Sequence, residues 1–463
     1  MELKEVDVAT RGRKWLATLA GRRVTVVGLA KSGVAAARLL AAAEAEVRAT
    51  DLKPVASLGR DVAALAAQGV RLVDGPAAFA GSELVVISPG VPVDGPQLAP
   101  ARARSIPVIG ELELGWRAME ADTIAITGTN GKTTTTALTG ALLAGQSRPV
   151  LVGGNIGTPL AAHARDFAPH GLVVAEVSSF QLETIETFRP RVAAVLNITP
   201  DHLDRHRTFE GYVEAKARIF QNQTADDCAV LNADDEPTRT LAARTAARVL
   251  WFSRRQPVND GVFVRDGWVV ARRDGAVEQV CPVSEIRLRG QHNVENVLAA
   301  TACALWAGLG PDALRRAIGG FRAVAHRIEF VRDIDGVHVY NDSKGTNVAS
   351  TIKALESFPE RVVLIAGGKG KGQDFAPLAA AAEGRVMHAV VIGEDGDKIA
   401  AAFQRAGIAV TAADSMPAAI DVALAAANVG DVVLLSPACA SFDMFDNYEH
   451  RGDVFKRLVE ALA

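Results

Sequence analysis

The sequence predicts an α/β protein built from three domains with mainly parallel sheets. Apolar, β-branched runs alternate along the chain with Ala-rich helical stretches, which is the pattern of strands joined by crossover helices. At 463 residues the chain is too long for one ordinary hydrophobic core. We therefore expect a Rossmann-like N-terminal domain over residues 1–110, a central P-loop ATPase-type parallel sheet with an antiparallel insert over 111–322, and a Rossmann-like C-terminal domain over 323–463.

The predicted strands follow this division. We expect strands at residues 23–27, 47–51 and 84–88 in the first block, at 123–126, 172–177 and 192–198 in the second, and at 337–340, 362–365, 389–392 and 432–435 in the third. The pairs Asp266-Gly267 and Asp274-Gly275 predict tight turns between antiparallel strands within residues 250–280. A helix is expected over residues 293–308.

Composition excludes several classes of protein. The net charge of −3 and the 5% aromatic content leave no basic stripe or stacking platform for nucleic acid. No apolar run is long enough to span a membrane, and the charged N-terminus lacks the apolar core of a secretory signal. The four cysteines are scattered, which argues against a disulfide framework and against zinc. We expect a cytoplasmic monomer that acts on small molecules, without a nucleic-acid or membrane partner.

A glycine-rich loop between a strand and a helix predicts a phosphate-binding site. Backbone N–H groups of such a loop turn inward around phosphate oxygens, and the helix N-terminus adds positive potential. Lys132 would reach the β- and γ-phosphates, and the Thr133 hydroxyl would ligate Mg²⁺. The first glycine lies three residues before Gly131 rather than the usual five, and the alternative is an ordinary glycine-rich turn. The predicted ATP-binding loop consists of Gly128, Thr129, Asn130, Gly131, Lys132, Thr133 and Thr134.

A carboxylate follows at the end of the next predicted strand. Glu176 lies where α/β folds place ligands, and a carboxylate there would hold Mg²⁺ against the γ-phosphate. Considered alone, an acidic residue in this position is more often a helix cap or part of an ion pair. The phosphate loop beside it favours the metal.

The loop sequence GTNGKTT resembles the ATP loop of the Mur ligases and folylpolyglutamate synthases, which join an amine to a carboxylate at the expense of ATP. The resemblance extends in order over nearly the whole chain. It implies ATP and two Mg²⁺ ions, with metal ligands Thr133, Glu176, His202 and a Lys216 carbamylated by CO₂. It implies a catalytic set of Lys132, Glu176, His202, Lys216 and Lys344.

Carbamylation of Lys216 has a physical reason, because the adduct turns a cation into an anion that can ligate a metal. The alternative is a solvated helix lysine. Residues three and four positions away along the helix are Tyr212, Val213, Ile219 and Phe220, none of which is a carboxylate that would pair with an exposed ammonium group.

Two further motifs resemble the family's ATP contacts. Asn293 and Asn296 lie three apart at a predicted helix start, where their amides could read an adenine edge or a phosphate-bound metal. Asn293 equally suits the N-cap of that helix. Arg327, in a His-Arg-x-Glu motif, matches the family arginine that contacts ATP.

The first block invites a dinucleotide-binding interpretation, because a glycine-containing turn opens a helix and Asp51 ends the next strand. Ala30 replaces the middle glycine of the NAD fingerprint, which disfavours an oxidoreductase. The family resemblance implies instead that this block holds the UDP of a sugar substrate. Its predicted UDP-substrate residues are Leu29, Lys31, Ser32, Asp51 and Ser88, with Asn155 from the central block.

The third block resembles the D-glutamate-adding Mur ligases, through the segment that contains Lys344 and Thr346. Glutamate has two carboxylates, so its site needs cationic and hydroxyl donors at two places. The predicted pairs are Lys344 with Thr346 and Lys371 with Ser441, and Tyr448 completes the pocket.

The resemblance therefore implies ligation of D-glutamate to UDP-N-acetylmuramoyl-L-alanine through an acyl phosphate, in peptidoglycan synthesis and hence in cell shape and division. Because the three substrates bind on different blocks, domain closure is expected to precede chemistry. Alternatives are L-glutamate as the amine, a folylpolyglutamate-synthase-type ligase, and a regulatory protein that only hydrolyses ATP. A folate-type enzyme would lack a UDP-binding first domain, whereas about 110 residues precede the ATP block here.

Overall fold

The computed structural model describes residues 11–322, 324–370 and 372–462. The chain divides into two compact units. The first contains the residues up to Val283 together with Asn296–Ile318, and the second contains Ser284–Glu295 and the residues from Gly319 onward. The first unit holds two sheets and the second holds one. Among the described residues, no helix has the length and apolar character that a membrane crossing requires.

The first sheet has five parallel strands in the order β3-β2-β1-β4-β5. The reversal of strand order beside β1 is the topology of a doubly wound nucleotide-binding fold. The strands are β1 (Arg23–Val27), β2 (Glu46–Thr50), β3 (Arg71–Leu72), β4 (Leu84–Ile87) and β5 (Val108–Gly110). The helices are α1 (Arg13–Ala17), α2 (Lys31–Ala42), α3 (Arg60–Ala63), α4 (Ala99–Ala103) and α5 (Glu111–Ala118).

The second sheet has nine strands in the order β14-β13-β12-β11-β10-β9-β6-β8-β7. Its strands are β6 (Asp122–Thr127), β7 (Val150–Gly154), β8 (Leu172–Glu176), β9 (Val192–Val195), β10 (Cys228–Asn232), β11 (Arg248–Ser253), β12 (Gly261–Arg265), β13 (Trp268–Arg273) and β14 (Ala276–Pro282). Its helices are α6 (Lys132–Leu143), α7 (Ser179–Leu182), α8 (Leu203–His206), α9 (Phe209–Ala217), α10 (Glu236–Thr240), α11 (Gln291–Trp306) and α12 (Pro311–Gly320).

The third sheet has the order β15-β16-β20-β17-β18-β19, and every pair except β15 with β16 is parallel. Its strands are β15 (Glu329–Ile334), β16 (Val337–Asn341), β17 (Val362–Gly367), β18 (Val386–Ile392), β19 (Ala409–Ala412) and β20 (Val432–Leu435). Its helices are α13 (Val348–Leu355), α14 (Ala376–Ala382), α15 (Gly396–Arg405), α16 (Met416–Ala426) and α17 (Tyr448–Glu460).

The central strands are buried on both faces, because helices cover both sides of a parallel sheet. All residues of β8, β9 and β10 are buried, and alternate residues of each strand lie in a core that also contains Trp15 and Leu112 from the first block. The predicted α/β class is therefore confirmed. The parallel strands also bring their carboxyl ends to one edge of the sheet, where Gly128 follows β6 and Glu176 ends β8.

One local prediction was confirmed in part and another was wrong. The predicted antiparallel insert within residues 250–280 is present as β12, β13 and β14, but β11 belongs to the parallel part of the sheet, because it pairs in parallel with both β10 and β12. The insert therefore extends the central sheet. Asn293 is not an N-cap, because α11 already begins at Gln291, and the Asn293 side chain donates back to the Arg289 carbonyl at 2.6 Å.

Candidate active site

The phosphate loop closes around its own lysine. Lys132 begins α6, and its Nζ donates to the carbonyls of Gly128 at 2.9 Å and of Thr129 at 2.8 Å. Gly131 precedes the helix with a φ of 86°, and a Cβ there would overlap Oδ1 of Asn296. No side chain caps this end of α6, so the helix offers its first N–H groups to an anion. The predicted loop therefore has the backbone form that phosphate binding requires.

The loop is fixed by the segment that follows β9. The Asn197 amide accepts from the Asn130 N–H at 2.9 Å and donates to the Asn130 carbonyl at 3.1 Å. The Thr129 hydroxyl donates to the Thr199 carbonyl at 3.1 Å and accepts from the Thr199 N–H at 3.0 Å. Sequence analysis did not identify Asn197 as a site residue. A polar residue two positions after a buried strand was the available signal.

Glu176 sits directly beside the loop. Its carboxylate is 2% exposed and accepts from the Thr133 hydroxyl at 2.8 Å and from the Asn155 side-chain amide at 2.7 Å. The Asn155 N–H also donates to the Glu176 carbonyl at 2.8 Å. A hydroxyl and a carboxylate oxygen in contact at the end of a phosphate-binding loop suit Mg²⁺, which prefers oxygen ligands shared with phosphates.

Lys216 is buried beneath the same loop, so the alternative of a solvated helix lysine was wrong. It is 1% exposed, its Nζ donates to the Gly128 carbonyl at 2.9 Å, and it lies 4.6 Å from the centre of the Tyr212 ring. Lys132 donates to the same carbonyl. Burial and, secondarily, the charge of Lys132 lower the pKa of the Lys216 amine well below its usual value. A lower pKa increases the fraction of neutral amine, which is the form whose lone pair can add to CO₂.

His202 lies near two aromatic rings. Its ring centroid lies 6.4 Å from that of Tyr212 and 4.8 Å from that of Phe180. The side chain remains 33% exposed, and Nε2 lies 3.7 Å from Oδ2 of Asp201. In the described part of the chain, no three His, Cys, Asp or Glu side chains group as a ready metal site. A metal at this edge would therefore need other ligands too, such as the Thr133 hydroxyl, phosphate oxygens or a carbamate.

The predicted UDP-substrate residues of the first block line one cleft. It has a volume of about 470 Å³, and its lining includes Leu29, Lys31, Ser32, Asp51 and Ser88. The Asp51 carboxylate accepts from the backbone N–H groups of Leu29 at 2.7 Å and Lys53 at 3.1 Å. The Ser88 hydroxyl donates to the Gly28 carbonyl at 2.7 Å. These two side chains fix the loop that forms the cleft. Asn155, by contrast, is held by Glu176.

In the second compact unit, the predicted glutamate residues lie on loops that follow the strands and at the start of α17. Lys344 and Thr346 follow β16, Ser441 follows β20 and Tyr448 is the first residue of α17. The Lys344 ammonium group lies 5.1 Å from the centre of the Tyr448 ring, and the Thr346 N–H donates to the Lys344 carbonyl at 2.9 Å. Lys371 falls outside the described residues, so its predicted pairing with Ser441 stays a prediction.

A buried carboxylate lies beneath Arg327. Asp342 accepts from the Ser436 hydroxyl at 2.7 Å, and one of its oxygens lies 3.8 Å from a guanidinium nitrogen of Arg327. Burial raises the pKa of Asp342 to about 6. The signal for this aspartate in the sequence is its place after β16, two residues before Lys344. Asn293 and Asn296 are both buried, in the first turn and the second turn of α11.

Comparison with known proteins agrees with this geometry. Three family models match: the MurD-like N-terminal domain of Mur ligases over residues 22–110, the Mur ligase middle domain over 126–304 and the Mur ligase glutamate ligase domain over 326–439. A UDP-N-acetylmuramoylalanine–D-glutamate ligase of Acidobacterium capsulatum is 49% identical over 448 residues, which are 96% of this chain and 97% of that protein. The enzyme of the same name from Koribacter versatilis is 49% identical over 446 residues, covering 96% and 98%.

A solved structure shows the same fold at low identity. MurF from Acinetobacter baumannii superposes with a TM-score of 0.61 at 18% identity, covering 94% of this chain and 93% of its own. The long matches at 49% identity are what establish kinship, because they run through all three sheets. The chain belongs to the Mur ligase family.

Proposed function

We propose that this protein ligates D-glutamate to UDP-N-acetylmuramoyl-L-alanine, using ATP and releasing ADP and phosphate, in the synthesis of peptidoglycan precursors. The observation that carries the proposal is the convergence of Lys132 and Lys216 on the Gly128 carbonyl, beside the Thr133–Glu176 pair. The relatives that match along nearly the whole chain are named for this reaction. A cytoplasmic location, a monomeric state and roles in cell shape and division stay predictions.

The reaction needs ATP because a free carboxylate is a poor electrophile. Phosphoryl transfer from ATP to the alanyl carboxylate gives an acyl phosphate, and the glutamate nitrogen then attacks its carbonyl carbon. The new C–N bond forms as the C–O bond to phosphate breaks, and the nitrogen loses a proton. Phosphoryl transfer depends on positioning and on neutralising charge. Lys132 donates hydrogen bonds to two loop carbonyls in this structure, and with ATP bound it would donate to phosphate oxygens instead.

Mg²⁺ would be held by residues of the same edge. Thr133 and Glu176 would bind one ion together with the phosphates, and His202 and a carbamylated Lys216 would bind a second. These ions neutralise phosphate charge when bound. The carbamate forms when the neutral Lys216 amine adds to CO₂, which makes an N–C bond and releases a proton. The buried Lys216 amine with its lowered pKa supports this step.

The remaining substrate groups are assigned to residues on both units. We assign ATP contacts to Asn293, Asn296 and Arg327, the UDP-sugar to the cleft around Asp51 with Asn155, and glutamate to the loops after β16 and β20. The glutamate set is Lys344, Thr346, Lys371, Ser441 and Tyr448. Its cationic and hydroxyl side chains match the two carboxylates of glutamate.

The decisive experiment measures ADP release with UDP-N-acetylmuramoyl-L-alanine while D-glutamate, L-glutamate and diaminopimelate are offered in parallel. Turnover is expected with D-glutamate alone. Turnover with L-glutamate alone would support the ATP-dependent ligation but show that the amino-acid pocket selects the opposite enantiomer. An enzyme that ignores all three amines, or that turns over a folate acceptor instead, would refute the proposal.

The UDP cleft can be tested separately through Asp51. Asp51→Asn keeps an acceptor oxygen but loses the charge that strengthens the bonds to the Leu29 and Lys53 N–H groups. We expect KM for the UDP-sugar to rise about tenfold, with kcat and KM for ATP nearly unchanged. Steady-state kinetics would measure this. Asp61→Asn, at an exposed position in α3, is the matched control, and equal effects of both variants would contradict the assignment.

A further inference from the structure

A fully buried arginine lies in the second compact unit. Arg451, in the first turn of α17, is 1% exposed. Its Nε donates to the Ser343 hydroxyl at 3.0 Å, and one terminal nitrogen donates to the carbonyls of Ser343 at 2.8 Å and Cys439 at 3.1 Å. The other terminal nitrogen donates to the Ala440 carbonyl at 3.3 Å. The planar fork of a guanidinium group thus joins two loops to one helix.

Among the described residues no carboxylate forms an ion pair with this group, although Asp443 and Asp342 attract its charge. Its hydrogen-bond acceptors are three carbonyls and a hydroxyl. Burial lowers the pKa of Arg451 to about 10, so the group stays charged at neutral pH. A buried charge is costly unless it is compensated. An apolar side chain would fill this position more favourably if only packing mattered.

The partners of Arg451 are the residues that lead into the predicted glutamate site. Ser343 directly precedes Lys344, and its hydroxyl also donates to the Tyr448 carbonyl at 2.8 Å. Cys439 and Ala440 directly precede Ser441. The guanidinium group therefore contacts the backbone beside Lys344 and Ser441, and the Ser343 hydroxyl links it to the Tyr448 carbonyl.

A third loop is joined to the same group. Ala440 and Lys369 exchange two backbone hydrogen bonds, each of 2.9 Å. A Cβ on Gly368, which precedes Lys369, would lie 3.2 Å from a terminal nitrogen of Arg451 and would overlap the Ala440 carbonyl. The loop after β17 therefore packs closely over the guanidinium group, and only glycine leaves room for this approach.

We propose that Arg451 is a positioning residue for glutamate: it sets the spacing of the loops after β16, β17 and β20 relative to Tyr448, and its buried positive charge, which no direct ion pair neutralises, favours a dianionic ligand. The inference rests on the proposed function, because it concerns the same amino-acid site. Arg451 itself does not touch the reacting atoms. It affects the positions of Lys344, Ser441 and Tyr448.

The test compares variants that separate the positive charge of Arg451 from the planar arrangement of its guanidinium donors. Arg451→Lys keeps the charge and loses the fork, whereas Arg451→Gln loses the charge. Arg457 lies on the same helix but is exposed, so Arg457→Lys and Arg457→Gln are matched controls. KM for D-glutamate, KM for ATP, KM for the UDP-sugar, kcat and Tm would be measured for each protein.

We expect Arg451→Lys to raise KM for D-glutamate about tenfold and Arg451→Gln to raise it further, with both other KM values within about twofold of wild type. A structural role alone would lower Tm and shift the three KM values together, and that pattern would overturn the inference. The Arg457 controls should behave as wild type.

Ser343→Ala keeps the test decisive if the Arg451 variants do not fold. It removes one acceptor of the fork and the bond to the Tyr448 carbonyl. A glutamate-specific rise in KM is expected again, and unchanged KM would overturn the inference. If wild type itself does not turn over D-glutamate, the proposed function fails first, and the inference falls with it. If wild type turns over D-glutamate but the variants do not show the expected rise in KM, only the inference about Arg451 fails.

Discussion

Replacing Glu176 with glutamine is expected to lower kcat about a thousandfold while leaving the protein folded. Glutamine keeps the shape of the side chain and still accepts from the Asn155 amide, and its own amide can donate to the Thr133 hydroxyl. What it loses is the negative charge that would hold Mg²⁺ against the phosphates. A thousandfold loss corresponds to roughly 4 kcal/mol of transition-state stabilisation, a magnitude typical of lost metal assistance.

The measurement is ADP release at saturating substrates over a range of Mg²⁺ concentrations, together with Tm. Glu210→Gln is the control, since Glu210 lies exposed in the first turn of α9. We expect Glu176→Gln to shift the Mg²⁺ dependence to higher concentrations and the control to leave it unchanged. A loss of less than tenfold, or an unchanged Mg²⁺ dependence, would show that Glu176 only braces Asn155 and Thr133.

The backbone form of the glycine-rich loop could be predicted from sequence because its signal is local. Strand, glycines, lysine and helix occur in one continuous segment, and the structure places Lys132 at the first helical position after Gly131. The same holds for Glu176, which ends a fully buried strand. Parallel pairing of β6 with β8 then brings both segments to one edge of the sheet. A local motif and a general rule of parallel sheets were together sufficient.

The residues that support the site were not predictable in this way. Asn197 and Arg451 act through hydrogen bonds to backbone groups that are distant in sequence, at separations of 67 residues for Asn130 and 108 residues for the Ser343 carbonyl. Nothing in the local pattern distinguishes them from a polar loop residue and an exposed helix arginine. Their roles depend on which loops the fold brings together, and that information is tertiary.

The errors in the local predictions have a similar origin. Asn293 has the side chain of a good N-cap, but α11 begins two residues earlier, and the Asn293 amide bonds to the Arg289 carbonyl instead. Hairpin signals at residues 266–275 were correct for β12 to β14, yet they did not reveal that β11 and β12 continue the parallel sheet. Turn residues predict only how two consecutive strands are connected. Whether a strand pairs in parallel with a third strand depends on that strand, which the turn does not specify.

Replacing Lys216 with methionine is expected to lower activity about a hundredfold or more without loss of stability. Methionine fills a similar volume against Tyr212 and removes a buried amine whose charged form is disfavoured there, so Tm should stay level or rise. Activity should fall because the variant cannot form the carbamate that would ligate the second metal. Lys14→Met, at an exposed position of α1, is the control.

Depletion of CO₂ separates the carbamate from the amine itself. Wild-type activity should fall in a CO₂-depleted buffer and recover on addition of bicarbonate, and labelled bicarbonate should yield a spectroscopic signal from bound carbamate. The residual activity of Lys216→Met should change neither on CO₂ depletion nor on addition of bicarbonate. If bicarbonate does not change wild-type activity, Lys216 is not carbamylated. It then acts as an amine that shares the Gly128 carbonyl with Lys132. That amine would regain its proton as phosphate charge arrives, and both lysines would then act as cations on ATP.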